Sequence, residues 1–269
     1  MRHVSAALIA GVCMGALIQI AAAADLPIKA PVITPIYNWT GFYVGGNAGY
    51  AWGNANDAMA LGGSWLTDGS GDNLVLNPLG NGQLHPNGFT GGIQVGYNFQ
   101  TGHWVTGVEA DATYFGLKEQ FSNTVTNAFS GDPYTFASSF ESSWLVTVRP
   151  RIGYAFDRLL VYATGGLAIT NQKFSQSITQ LNVAFTEAGA ASATTAGWTV
   201  GAGAEYALDK RWSVKAEYLY VDPGAVSFST TGSCPTVPAI AAACAVYNGA
   251  HSADLKVNIV RTGLNYHFD

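Results

Sequence analysis

Charged side chains are scarce in this chain. Asp, Glu, Lys and Arg make up 11% of its 269 residues, against about 25% in an average soluble domain. Bases are scarcer than acids: 12 Lys and Arg against 17 Asp and Glu leave a net charge of −5. That excludes a nucleic-acid partner, because phosphate binding needs a basic face. Beyond the N-terminal segment, no apolar run reaches the roughly 20 residues of a membrane-crossing helix. A membrane protein without such helices must be a closed barrel, since hydrocarbon offers no partner to an unpaired backbone group. What the chain does have is 32 glycines, 12% aromatic residues and 48% apolar residues. That composition suits a β-protein with an apolar outer surface.

The N-terminus has the form of a secretory signal. Met1-Arg2-His3 is a short positive start, Val4 to Ile20 is apolar apart from Gln19, and Ala21 to Ala24 are small. Cleavage falls before Ala24 or before Asp25, with export through the Sec pathway. A retained anchor is the alternative, but the apolar run is short and ends in alanines. Residues 1–24 are thus the expected signal, 25–37 a periplasmic Pro-rich leader, and 38–269 the main domain. Cys13 leaves with the signal, and Val12 before it argues against a lipid-modified cysteine. Cys234 and Cys244 remain, in an Ala/Pro-rich stretch. An oxidising compartment favours a disulfide between them; two free thiols are the alternative.

Period-two alternation recurs in eight segments, near residues 42–52, 88–99, 104–115, 140–156, 159–170, 196–208, 212–221 and 253–268. In the first, Phe42, Val44, Gly46, Ala48, Tyr50 and Trp52 oppose Tyr43, Gly45, Asn47, Gly49 and Ala51. In the fourth, Trp144, Val146, Val148, Ile152 and Tyr154 oppose Ser143, Thr147, Arg149, Arg151 and Gly153, with Pro150 an awkward member of a paired strand. The connections alternate in length. Residues 100–103, 157–158 and 209–211 are short turns; 53–87, 116–139, 171–195 and 222–252 are long. Repeated alternation with this asymmetry predicts an all-β fold: an eight-stranded antiparallel up-and-down transmembrane β-barrel with long extracellular loops and short periplasmic turns. Phe99, Trp104, Phe156, Trp212 and Phe268 near the short turns, and Tyr50, Trp52, Tyr114, Trp144, Trp198 and Tyr220 near the loops, form two candidate aromatic girdles. A sandwich core is the rival for these aromatics, and a soluble lipocalin-like barrel for the fold.

The charges within the strands fall mainly on one face: Glu109, Asp111, Arg149, Arg151, Glu205, Lys215, Glu217 and Arg261. Lysine or arginine facing lipid costs about 2–4 kcal/mol at the midplane, so this face points inward. Four acids then meet four bases in a lumen just wide enough for side chains to fill. A salt-bridged plug follows; a small polar or ion path is the alternative. Gly45, Gly49, Gly92, Gly96, Gly201 and Gly203 share that face and leave room for the long side chains.

No catalytic residue, metal ligand or cofactor site is assigned. His85 and His251 fall in outside loops and His103 in a short turn, with no metal-ligand spacing among them. Loop histidines with Tyr247 could hold haem iron, though solvated loop residues are the plainer reading. Ser252 directly follows His251, so the two point to opposite faces of a strand, and Asp68 with Asp72 is a lone carboxylate pair in a loop. The chain is therefore expected not to be an enzyme.

Several blocks resemble a known family. They are Ala24-Asp25-Leu26-Pro27, the run from Asn38 to Tyr50 (NWTGFYVGGNAGY), Tyr162 to Ala168 (YATGGLA) and Val260 to Phe268 (VRTGLNYHF). The family is the small porin-like outer-membrane proteins of alphaproteobacteria, the outer-membrane immunogenic proteins, and the resemblance spans nearly the whole mature chain except the long loops. It implies an abundant, mostly structural surface barrel of the Gram-negative outer membrane, in contact with lipid and lipopolysaccharide. Some relatives bind haemin or a host surface. It further implies that Tyr266 and Phe268 signal to the barrel-assembly machinery, although Asp269 stands after the aromatic residue with which the family usually ends. The expected function is a surface barrel with a plugged lumen. The alternatives are haemin or host-surface binding through the outer loops, or weak conduction; the oligomeric state is left open.

Overall fold

The computed structural model describes residues 37–183, 185–233 and 246–268, all within the compact unit Ile36–Asp269. The signal, most of the leader, Cys234, Cys244 and Asp269 lie outside the described residues. The strands are β1 (Gly41–Gly63), β2 (Gln83–Leu84), β3 (Asn87–Thr101), β4 (Trp104–Thr126), β5 (Pro133–Phe156), β6 (Leu159–Gln180), β7 (Phe185–Ala207), β8 (Trp212–Ser233) and β9 (Tyr247–His267). A short 3-10 turn (Ser64–Leu66) and one helix, α1 (Asp72–Gly80), sit between β1 and β2. Each of the eight long strands pairs antiparallel with its neighbour, and β1 also pairs with β9 from Tyr43↔His267 to Gly63↔Tyr247, which closes the ring. Closure leaves the membrane-level backbone without an open edge, the condition for crossing hydrocarbon. The two-residue β2 continues beside β1 after β3 has departed, with Ala55↔Leu84 and Asn56↔Gln83.

The strands are about twice as long as a bilayer requires. β5 has 24 residues, where about 9–11 suffice to cross. The stretches expected to be long loops are therefore largely strand, and His251, expected in a loop, lies in β9 with its side chain buried. The physical reason is an inversion of amphipathicity along each strand. On β1, Phe42, Val44, Tyr50 and Trp52 are exposed outward, but beyond them Asn54 and Asn56 face out while Ala55, Met59 and Leu61 are buried. On β9, Val260 and Leu264 face out and Arg261 and Asn265 face in; further up, Lys256 and Asp254 turn outward and Ile259, Val257 and Leu255 inward. Lipid demands an apolar exterior and water an apolar interior, so the pattern changes sign where the strand leaves the membrane. Alternation followed with one fixed apolar face stops at that point.

Register shifts gather at the same level, between Tyr114 and Leu117 on β4, Glu141 and Leu145 on β5, and Val221 and Gly224 on β8. Bulges of this kind re-aim side chains at barrel rims. On β5 the shift turns Ser142 inward, where it is fully buried, and moves Ser143 to the outer side, where its hydroxyl meets Asn171 Oδ1 at 3.2 Å. The expected placement of Ser143 on the Arg149 face is thus corrected. Pro150 points outward; the β5–β6 pairing lapses between Val148↔Leu167 and Arg151↔Thr164, opposite Gly165 and Gly166, so no partner needs its missing N–H.

Candidate functional site

Within the lower half of the ring the inward residues build one ionic layer. The strand register places Glu109 opposite Arg149, Glu205 opposite Lys215, and Glu217 opposite Arg261. Arg149 occupies the centre: Nη2 donates to Glu109 Oε1 at 2.7 Å and to Asp111 Oδ2 at 3.0 Å, and Nη1 donates to Glu217 Oε1 at 3.2 Å. Lys215 Nζ donates to both Glu109 oxygens at 2.8 Å. Arg261 Nε donates to Glu217 Oε2 at 2.7 Å and its Nη1 to Asp111 at 3.1 Å. Arg151 reaches Glu205 at 3.2 Å and Asn98 Oδ1 at 2.8 Å, and its guanidinium lies 4.8 Å and 5.0 Å from the rings of Tyr43 and Tyr162. All eight charged residues expected in the lumen are buried there and mutually paired.

Neutral partners missed by a search for charge complete this layer. Glu205 accepts from Ser213 and Asn265 at 2.5 and 2.7 Å, Tyr43 donates to Glu109 at 2.8 Å, and Tyr162 to Glu217 at 3.0 Å. Their parity on the strands was the available signal. The inner glycines give the space expected of them: a Cβ on Gly96 would stand 2.3 Å from the Tyr43 phenol. Buried ion pairs cost desolvation that only full satisfaction offsets, and this network approaches it.

Three further layers stand above. The first is apolar, with Phe115, Leu145, Phe174, Leu219 and Val257 among its buried members. The second is polar: Asp57 accepts from Gln176 Nε2 at 2.9 Å, Glu187 accepts from Trp65 Nε1 and Thr230 Oγ1, and His251 lies 3.0 Å from Thr230 Oγ1. Burial pushes the Asp57 carboxyl up to about 7, raises Glu187, and pulls His251 down to about 4. The third layer caps the outer mouth with Trp65, Leu76, Tyr134, Phe136, Ile178 and Phe185. Here Asp72 is buried, accepting from the Tyr134 hydroxyl at 2.6 Å and from Asn127. At the periplasmic end Trp39 is fully buried against Val105, Ala155, Leu160 and Ala207, and its indole N–H donates to the Asp157 carbonyl at 3.1 Å.

The remaining sequence candidates do not converge. His85 bonds Asn54 at 2.8 Å, while Tyr247 pairs with Gly63 in the β1–β9 register. These β1 partners are nine positions apart, about 30 Å along a strand. Among the described residues no three His, Cys, Asp or Glu side chains gather as metal ligands. Tyr266 and Phe268 sit at the periplasmic end, their rings 5.2 Å apart, with Phe268 half exposed on the outer wall.

A closed antiparallel ring, apolar outside and ionic inside through its lower half, defines the class of outer-membrane β-barrels. The chain belongs to the outer membrane protein beta-barrel domain family, whose model matches residues 10–268. It is 35% identical to the 31 kDa outer-membrane immunogenic protein of Brucella melitensis over 253 residues, covering 90% of this chain and 88% of that one. It is 32% identical to a 22 kDa outer membrane protein of Rhizobium leguminosarum bv. viciae, covering 72% of this chain and 68% of that one. Among solved structures, the Neisserial surface protein A aligns at 14% identity with a TM-score of 0.35, covering 85% of this chain and 98% of that one.

Proposed function

We propose that this outer-membrane barrel is a closed, non-conducting surface protein rather than a porin or an enzyme. The observation that carries the reading is Arg149, fully buried at the barrel axis and held at once by Glu109, Asp111 and Glu217. Side chains held in paired contacts of this kind are not free to solvate a passing ion. Apolar layers on both sides of the network, and Trp39 below, add further barriers. We propose further that the chain is exported through the Sec pathway and inserted by the assembly machinery through Tyr266 and Phe268. Planar-bilayer recording of the refolded chain tests the closed lumen. Silence is expected; reproducible unitary steps at neutral pH would replace this reading with the weakly conducting one.

A second reading, capture of a macromolecule by the outer tips, is favoured by the large apolar side chains left exposed there. Haemin has less support, because the described histidines and Tyr247 do not form a common ligand set.

A further inference from the structure

Four connecting segments meet at the outer mouth. Ser64 N donates to the Val246 carbonyl at 3.1 Å, Leu181 N to the Pro133 carbonyl at 2.9 Å, and Asn182 Nδ2 to Asp132 Oδ1 at 2.6 Å. Tyr247 donates to Asp68 at 3.2 Å, and the Phe129 ring lies beside Gly71, next to α1. The rim so formed exposes Leu66 (60%), Leu74 (66%), Phe129 (75%), Leu181 (56%), Val183 (51%) and Val246 (49%). Apolar side chains scattered singly need no explanation, but a gathered set at one end of a molecule marks an interaction surface.

The rim also carries charge of a single sign. The sequence has no Lys or Arg between Lys29 and Lys118, Lys118 and Arg149, Lys173 and Lys210, or Lys215 and Lys256. All four outer connections fall in those intervals. Asp68 and Asp132 stand at the surface of the rim, with Asp72 and Glu187 buried just beneath it. From Trp52 at the upper girdle to Gly63 at the rim, β1 runs eleven residues, about 36 Å along the strand and about 25–30 Å in height. The rim therefore stands clear of the protein's own bilayer, and its anions disfavour phosphate- or sulfate-bearing chains.

We infer that the rim is a docking surface for a cationic amphipathic polypeptide, one that presents Lys or Arg beside apolar side chains. The inference rests on the surface-barrel reading, which places these tips outside the cell. Apolar contacts with Leu74, Phe129 and their neighbours supply burial, and Asp68 and Asp132 select the sign of the partner and speed its approach.

The test uses the full chain in phosphatidylcholine nanodiscs, with empty discs subtracted. The probes are three labelled peptides of equal length: a helical Lys/Leu amphipath, its Glu/Leu counterpart and a Lys/Ser peptide. The Lys/Leu peptide is expected to bind at least about tenfold tighter than the other two, and more weakly as salt rises. Leu74→Ser with Phe129→Ser, and separately Asp68→Asn with Asp132→Asn, should each weaken it by about tenfold, with heat-modifiable migration retained. Equal binding to empty discs, equal binding of the Glu/Leu peptide, or full binding by both double variants overturns the inference. Loss of heat-modifiable migration by the unmodified chain would instead overturn the barrel reading beneath it.

Discussion

Arg149 shows what a single residue holds together in this lumen. Its loss leaves Glu109, Asp111 and Glu217 to share Lys215 and Arg261, and removing one partner of a buried pair costs about 3–5 kcal/mol. Arg149→Ala should therefore lower the urea midpoint of the refolded chain markedly, as tryptophan fluorescence would report. Asp57 and His251 answer pH with opposite signs. The Asp57 carboxyl is raised to about 7 from an unfolded value of about 4. Its contribution is present in acid and lost as pH rises between those values. Glu187, also raised, shares that sign. His251 is depressed to about 4 from about 6.5 unfolded. Its contribution is present above about 6.5 and lost as pH falls toward 4. Denaturation from pH 4 to 8 should then show Asp57→Asn losing less stability on the alkaline side than the parent, and His251→Gln losing less on the acid side. Identical profiles for all three chains would contradict the buried polar layer.

At the scale of the strand, the decisive feature is where its faces exchange roles. Val146 points to lipid below the inversion, and Ser143 lies on the same outer side at the bulge beside Trp144. Val146→Arg places charge against hydrocarbon at about 2–4 kcal/mol, whereas charge near the interface costs about 0–1. Val146→Arg should abolish the heat-modifiable form in the membrane fraction, and Ser143→Arg should retain it. Both outcomes would be expected from a reading that set Ser143 inside the lumen, but the reason differs: water is reached outward, above the girdle. A third variant separates the two. Thr147→Arg, on the truly buried face beside Asp111, should fail by overcrowding the filled lumen.

At the scale of the whole molecule, charge is sorted by height. Arg158, Lys210 and Arg211 lie at the short turns, the paired charges fill the lumen, and the outer rim holds acids alone. Intact cells treated with trypsin should keep the chain whole, because Lys118, Lys173 and Lys256 lie within paired strands. Chymotrypsin should cut near Phe129, which is 75% exposed between β4 and β5. Immunoblotting the two digests checks this, and tryptic cleavage at the Lys210–Arg211 turn on intact cells would invert the orientation.

The sequence by itself determined the ring and the content of its lower lumen. Alternation with a two-residue period places Arg149, Glu205 and Glu217 on one face wherever the strand runs unbroken, and lipid permits that face only one direction. Short turns at 157–158 and 209–211 fixed neighbouring strands as antiparallel pairs. Only the tertiary structure decided what happens above the membrane. There Leu255, Val257 and Ile259 are as apolar as the lipid-facing Val260 and Leu264, yet they point inward. An alternating strand does not say which solvent surrounds it; the surrounding strands and the depth in the bilayer do. The same holds for Trp65, Leu76 and Trp39, whose sealing of the two ends depends on contacts between segments far apart in the chain.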